Sequence, residues 1–435
     1  MSTEKLNLIR KRFQKITILT VTLGFMAGLS LSSEAGPRET AKRIHDRLAG
    51  VPPTEAVLDT MESCLSTNTT ACDAVAGALT SSNDGAIKAA YIAMESDGFY
   101  NATLKNFAAP WTNEAQSPFV PLNDYTATVI GMIRDDVDFR TVLSADLVYI
   151  GGTTTPAYSN SNNLHYEAIE DSGVNLKTEL VSRQQTTGLP NRSGIPAAGV
   201  MTTRAAARAF FVDGTNRAML RFTLMNHLCK DLEQVKDITR PSDRIRQDVS
   251  RSPGGDSRIF NNSCIGCHSG MDPLAQAFAY YEWTYPAGGD ADTGQLTHDS
   301  TSRPVDVNNP ALGTTRAQPK YLINASNFEY GYVTRTDDWL NYWRNGPSAI
   351  LGWSGAQSSG TGASSMGAEL ANTEAFTSCQ VRKVFKSVCL RDPMGSAADR
   401  TKINQVVTSI GTGTVNMKSI FAEAASYCKD GAAYQ

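Results

Sequence analysis

One short motif constrains this chain more than any other feature: Cys264-Ile265-Gly266-Cys267-His268. It follows the C-x-x-C-H pattern, the covalent attachment site of a c-type haem. Each thiol can form a thioether with one haem vinyl group, and the histidine can donate an axial nitrogen to the iron. A C-x-x-C pair alone also fits a redox dithiol or half a zinc site, but the histidine favours haem. We therefore expect a fold built around one covalent haem c held by Cys264, Cys267 and His268.

The N-terminus predicts export from the cytoplasm. Basic residues precede an apolar run from Ile16 to about Leu31, and Ser33-Glu34-Ala35 gives a small-x-small pattern. This is the layout of a secretory signal peptide over residues 1–35, cleaved after Ala35. A retained anchor is the alternative, but the run of about 16 residues is shorter than the roughly 20 that a spanning helix needs. Because bacteria attach haem c outside the cytoplasmic membrane, we predict a periplasmic or extracellular protein.

The charge balance narrows the class of partner. The chain has 40 Lys and Arg against 43 Asp and Glu, and removing residues 1–35 leaves a net charge of −6. This mildly acidic balance provides neither the basic surface of a nucleic-acid-binding protein nor a polybasic membrane patch. We expect a redox partner protein, with no nucleic acid and no membrane span after signal cleavage.

Six cysteines remain outside the motif, an even number that favours disulfides in an oxidising compartment. They are Cys64, Cys72, Cys229, Cys379, Cys389 and Cys428. Cys64 and Cys72 flank a short polar loop and form a plausible local pair. Cys379 and Cys389 share one predicted helix, where ten residues separate them by about 15 Å, which is too far for a bond. Each needs a partner elsewhere, such as Cys229 or Cys428, and free buried thiols are the alternative.

Apolar periodicity and cap residues predict a mainly α-helical protein. Helices are expected at 38–48, 54–63, 84–96, 123–135, 203–211, 215–230, 367–390, 397–410 and 416–428. Asp84 and Asn123 are the cap candidates for two of them. The motif is expected to begin a helix that ends at Asp272-Pro273, with 274–283 as a further segment.

Composition shifts divide the chain into five segments. After the signal peptide, 36–150 is predicted to form an N-terminal helical domain, and 151–200 a loop-rich connector with a short hairpin. Residues 201–366 are predicted to form a haem-binding, cytochrome c-like domain with long loops, and 367–435 a C-terminal helical segment.

The sequence constrains the second axial ligand of the iron less than it constrains Cys264, Cys267 and His268. Met366 is the leading candidate, since it ends a Gly/Ser-rich loop about 100 residues after the motif and precedes a predicted helix. His298, His227 and an open site are the alternatives. Met271 lies three residues after His268, on the same side of the ring, so it is assigned to packing. No second C-x-x-C-H motif is present, which counts against di-haem peroxidases and multihaem wires.

The residues around the motif resemble the planctomycete-type cytochrome C family, a group of large secreted mono-haem proteins with linked domains of unknown function. The similarity rests on Cys264–His268 with Met271-Asp272-Pro273-Leu274 and Ala277-Phe278, on Gly199–Thr203, Asn216-Arg217 and Leu228-Cys229, and on weaker matches at Arg47–Thr54, Phe139–Tyr149, Glu369-Leu370, Phe376 and Cys379. It implies Cys264, Cys267 and His268 as haem ligands and names no substrate. The chain departs from the family after Leu274, where Ala275-Gln276 replaces Gly-Phe, and carries an inserted stretch at 328–359.

The sequence thus predicts a secreted c-type cytochrome that binds one haem and transfers electrons. A haem-dependent oxidoreductase, peroxidase-like or oxidative, with an open distal site is the alternative, because the long loops at 151–200 and 284–366 could form a substrate cleft. A binding protein with a structural haem is a third possibility.

Overall fold

A computed structural model describes residues 35–322, 325–355 and 357–429. Apart from Ala35, the predicted signal peptide lies outside these residues. The expectation of a mainly α-helical chain is confirmed, with 54% helix and 8% strand. Within the described ranges, no helix combines the length and the apolar character that crossing a membrane requires.

The helices of the described residues include those expected from the sequence, but the predicted span 367–390 holds two of them and several short ones were not predicted. In chain order, the helices are α1 (Pro37–Ala49), α2 (Glu55–Cys64), α3 (Thr70–Ala76), α4 (Gly85–Ala93), α5 (Lys105–Ala108), α6 (Asp124–Arg134), α7 (Leu164–Asp171), α8 (Leu176–Glu179), α9 (Arg204–Phe210), α10 (Arg217–Thr223), α11 (Leu232–Val235), α12 (Ser257–Ile259), α13 (Ile265–Ala275), α14 (Gly362–Ala371), α15 (Glu374–Cys389), α16 (Ala397–Ile410) and α17 (Met417–Cys428). Wider π-helical turns occur at Phe99–Leu104, Leu224–Leu228 and Phe260–Cys264.

Both predicted cap residues begin helices. The Asp84 carboxylate accepts hydrogen bonds from the backbone N–H groups of Ala86 and Ile87. The Asn123 side chain accepts one from Thr126. These bonds satisfy backbone donors that have no partner inside the helix, which is why such residues mark helix starts.

The strands form four separate antiparallel pairs. They are β1 (Val148–Gly151) with β2 (Leu180–Arg183), β3 (Tyr281–Thr284) with β4 (Gln295–His298), β5 (Arg303–Pro304) with β6 (Thr314–Thr315), and β7 (Asp338–Leu340) with β8 (Ser359–Thr361). Strand β1 ends where the predicted connector begins and β2 lies within the connector, with α7 and α8 between the two strands. The connector is therefore more ordered than a loop with a short hairpin.

The segment after the motif differs from the prediction. Helix α13 continues through Pro273 to Ala275, because a proline in the last turn removes only one backbone hydrogen bond. Beyond it, Tyr281–Thr284 forms strand β3, with Tyr281 opposite His298 and Trp283 opposite Leu296. Aromatic and β-branched residues favour this half-buried strand over the expected helical continuation.

One continuous hydrophobic core includes residues from Ala41 to Cys428. The last helix, α17, packs on α4, α15 and α1, so the C-terminal segment lies against the N-terminal helices. Phe421 of α17 meets the Phe99 ring edge-on, with 5.2 Å between the ring centroids. The predicted segments therefore share a core, and their boundaries stay predictions.

Three disulfides connect these helices. Cys64–Cys72 closes the short loop expected from the sequence, with Cα atoms 5.0 Å apart. Cys379 pairs with Cys229 and Cys389 with Cys428. The prediction that the two cysteines of α15 need separate partners is confirmed.

Candidate functional site

The motif lies on a helical segment that runs without interruption from α12 through a π-helical turn into α13. Asp256 begins it by accepting a hydrogen bond from the N–H of Arg258. Cys264, Cys267 and His268 occupy positions i, i+3 and i+4, so their side chains share one face of the helix. All three are partly exposed. The segment therefore presents two sulfurs and one imidazole to the same side.

Close packing on the other side of the motif helix positions the face that carries Cys264, Cys267 and His268. A Cβ atom at Gly270 would lie 2.0 Å from the Trp343 Nε1 atom, and one at Gly266 would lie 3.0 Å from the Ile238 side chain. The backbone of α13 is therefore pressed against Trp343, which is fully buried. A side chain at Gly270 would push α13 away from Trp343, so this glycine allows the close contact that positions the motif helix.

The cysteines of the motif are the free thiols among the described residues. Burial raises the pKa of Cys267, and the nearby Glu233 carboxylate raises it further. A raised pKa keeps the sulfur in its thiol form, whereas redox-active dithiols depend on a lowered one. In the part of the chain that the structure describes, no group of three or more His, Cys, Asp or Glu side chains is arranged to hold a metal ion.

A buried carboxylate holds the ring of His268. The Nδ1 atom lies 3.0 Å from Asp272 Oδ1, one helical turn further along α13. The Asp272 side chain is fully buried, while 22% of the His268 side chain is exposed. An ionised carboxylate only accepts hydrogen bonds, so the imidazole Nδ1 is the protonated nitrogen and donates. In the neutral ring, this leaves the Nε2 lone pair free to bind a metal.

Arg217 fixes the carboxylate from the opposite side. Its Nε and Nη2 atoms donate to the two oxygens of Asp272 at 2.7 and 2.9 Å. The other edge of the guanidinium forms the same kind of paired contact with Asp248, at 2.6 and 2.9 Å. Such two-pronged contacts define orientation as well as charge. These contacts hold Asp272 in one orientation independently of its contact with His268.

A second arginine completes the network. The backbone N–H of Arg246 donates to Asp272 at 3.2 Å, and its guanidinium donates to Asp248. The Cζ atom of Arg246 lies 4.4 Å from the centroid of the Tyr321 ring. Two arginines thus balance two carboxylates inside the protein, as buried charges require.

The pKa of Asp272 reflects these contacts. Burial would raise it, but the Arg217 charge and the hydrogen bonds from His268 and Arg217 hold it well below its usual value. Burial likewise would lower the pKa of Arg217, and its two carboxylate partners raise it instead. Asp272 and Arg217 are therefore both ionised at neutral pH.

The predicted distal ligand has a different setting from the one expected. Met366 does not end a loop: it lies within α14 and is fully buried. Helix α14 packs mainly on the turns Phe139–Leu143 and Gln276–Phe278. The expectation that Met366 ends a Gly/Ser-rich loop is therefore wrong, and ligation of iron by Met366 stays a prediction.

The two alternative histidines are both engaged in other contacts. His298 lies on β4 between the rings of Tyr280 and Tyr281, with centroids 5.6 and 4.9 Å away. His227 is fully buried, and its Nε2 lies 2.7 Å from the Tyr125 hydroxyl. Iron binding through the Nε2 atom of His227 would require that hydrogen bond to break.

Sequence reasoning missed the network behind His268. Asp272 stands four residues after the histidine, and on a helix this spacing places the two side chains together. The H-x-x-x-D pattern was therefore a usable signal. Arg217 and Asp248 come from distant segments, and no local pattern links them to the motif.

Comparisons with protein-family models, with curated proteins and with solved structures found no match for this chain. The resemblance to the planctomycete-type cytochrome C family therefore stays a prediction from the motif residues.

Proposed function

We propose that this protein carries one haem c, attached through Cys264 and Cys267 with His268 as axial ligand, and transfers electrons outside the cytoplasm. The single observation that carries the proposal is the division of the cysteines. Six form disulfides, while the two in the C-x-x-C-H motif are free thiols on the same helical face as a histidine.

The donor set fits the requirements of this cofactor. Thioether formation consumes two thiols three residues apart, and axial ligation needs a neutral imidazole with one free nitrogen. Cys264 and Cys267 supply the first, and the hydrogen bond from His268 Nδ1 to Asp272 prepares the second. The cytochrome c-like character of residues 201–366 is part of this proposal. When bound, the haem would supply a one-electron centre.

Export and disulfide formation are consistent with this function. Disulfides persist in oxidising compartments, where attachment of haem c also takes place. The three disulfide pairs therefore support a periplasmic or extracellular location, and a redox partner protein is the proposed interaction.

The test is expression with a cytochrome c maturation system, followed by the pyridine haemochrome spectrum of the denatured chain. We expect one haem per chain with the spectrum of two thioether bonds. Cys264→Ser should shift the spectrum to that of a single thioether. Serine at both Cys64 and Cys72 is the matched control, since it removes two sulfurs from the fold but none from the motif, and it should leave the spectrum unchanged. Absence of covalent haem in the wild type would refute the proposal.

The carboxylate behind His268 favours a second candidate, a haem-dependent oxidoreductase with an open distal site. A hydrogen bond to an ionised carboxylate raises the basicity of a metal-bound imidazole, which stabilises oxidised iron. The ferric optical spectrum separates the two functions. A spectrum typical of two strong axial ligands, unchanged by cyanide, supports electron transfer, whereas a high-spin spectrum that changes on adding cyanide or peroxide supports the oxidoreductase.

A further inference from the structure

We propose that Asp272 is a positioning residue that holds the His268 ring through Nδ1 and lowers the reduction potential of the bound haem. This inference rests on the proposed function, and the contacts of Arg217 and Arg246 hold the Asp272 carboxylate in place.

The hydrogen bonds of Asp272 show that its contact with His268 has a fixed geometry. Both oxygens of Asp272 are used, one by His268 and Arg217 and the other by Arg217 and the backbone of Arg246. The side chain has no exposed surface. With four donors converging on it, the carboxylate cannot rotate away from the imidazole without losing hydrogen bonds that are buried.

The chemical consequence follows from the position of the proton. A carboxylate that accepts the Nδ1 hydrogen bond draws this proton away from the ring and increases electron density at Nε2. A more electron-rich ligand stabilises ferric over ferrous iron. The His268–Asp272 contact should therefore lower the midpoint potential, and it should also fix the plane of the ring relative to the haem.

Charge alone could produce a similar shift, so the control must remove charge without touching the histidine. Asp248 provides this control. It belongs to the same network and pairs with Arg217 and Arg246, but its hydrogen bonds do not include His268. Asp248→Asn and Asp272→Asn remove the same charge, and only the second change alters the partner of the imidazole.

The experiment is a spectroelectrochemical titration of the haem-loaded chain together with its ferric EPR spectrum. Asp272→Asn should shift the ferric–ferrous equilibrium toward the ferrous form by about tenfold, which is about 59 mV for one electron. Its EPR g values should change as well. Asp248→Asn should give a smaller shift and unchanged g values, and Asp272→Glu, which keeps the carboxylate, should recover part of the difference.

Equal shifts in Asp272→Asn and Asp248→Asn, with equal EPR spectra, would overturn the inference, because the carboxylate would then act only through its field. An unchanged potential in Asp272→Asn would also overturn it, while leaving covalent attachment and the proposed function intact. A wild-type chain without covalent haem would refute both.

The wild-type protein provides a test that needs no substitution, should Asp272→Asn not fold. In the ferric protein, proton NMR can follow the exchangeable Nδ1 proton of the axial histidine, which the iron shifts away from other signals. We expect slow exchange of this proton with deuterium, because its acceptor is fully buried. Loss of the signal within the mixing time would contradict the His268–Asp272 contact.

Discussion

Two histidines of this molecule, His268 and His227, have opposite surroundings. His268 is partly exposed and hydrogen-bonded to a buried carboxylate within an ionised network. His227 is fully buried, bonded to the Tyr125 hydroxyl, and has Lys383 rather than a carboxylate beside it. The fold therefore holds one imidazole by an ionised carboxylate and keeps the other buried and neutral.

The environment of His227 shows how the neutral state is maintained. Its ring lies edge-on to Trp111 and parallel to Phe376, with centroids 5.4 and 6.2 Å away. Burial lowers the pKa of His227 well below its usual value, and Lys383 lowers it further. Burial also lowers the pKa of Lys383 well below its usual value. Its amine lies 3.8 Å from the Trp111 ring centroid, a contact that favours the charged form but does not outweigh the effect of burial.

Removing Arg217 from the ionic network should have the largest effect on stability. Arg217→Ala leaves Asp248 and Asp272 buried with much less compensation, and we expect a loss of about 3–5 kcal/mol in the free energy of unfolding. Denaturant titration measures it. Arg208→Ala removes a more exposed partner of Asp292 and should cost under about 1 kcal/mol. Similar losses for the two variants would show that the network around His268 is not a buried ionic structure.

Breaking the neutral pair should cost less. Tyr125→Phe removes the hydroxyl that bonds His227 and leaves the Nε2 atom buried without this partner. We expect a destabilisation of about 1–3 kcal/mol by denaturant titration. Tyr285→Phe, which deletes a hydroxyl 3.5 Å from the Asp213 carboxylate, is the matched control and should change stability by less than about 0.5 kcal/mol. An unchanged stability in Tyr125→Phe would mean that water replaces the hydroxyl at His227.

The pH dependence of stability should distinguish the two regions further. The folded protein lowers the pKa of Lys383, so between that lowered pKa and 10.5 the unfolded chain binds a proton that the folded chain lacks. The free energy of unfolding should therefore rise as the pH increases toward 10.5, by up to about 1.4 kcal/mol per pH unit from this group. Lys383→Met should lose that slope.

Chemical denaturation at a series of alkaline pH values measures this difference. Lys402→Met replaces a lysine that pairs with Glu423 near the surface, and its slope should match that of the wild type. Parallel curves for the wild type and Lys383→Met would indicate that Lys383 is charged in the folded protein.

Local spacing explains how much of the fold and site the sequence could predict. Cap residues and apolar periodicity located the helices, and the length of α15 excluded a bond between Cys379 and Cys389. The three motif residues lie on one face because they are three and four positions apart. Each of these inferences depends on geometry within a single helix.

Long-range packing explains the failures. The segment that holds Met366 is rich in glycine and serine and predicts a loop, but it becomes helical from Gly362 onward. A Cβ atom at Gly367 would lie 2.0 Å from the Leu143 carbonyl, so the small residues serve close contact between α14 and a distant turn. Tertiary packing thus overrides helix propensity. Arg217 and Asp248 were missed for a related reason, since only the fold brings them to Asp272.

We propose that Cys264 and Cys267 bind covalently to a cofactor whose iron His268 ligates. Peptide mapping by mass spectrometry of the mature, haem-maturated protein after acid denaturation tests it most directly. We expect one peptide that contains Cys264 and Cys267 and carries the added mass of one haem. The other six cysteines should be in disulfides. A motif peptide whose two thiols react with an alkylating reagent, or are bonded to each other, would contradict it.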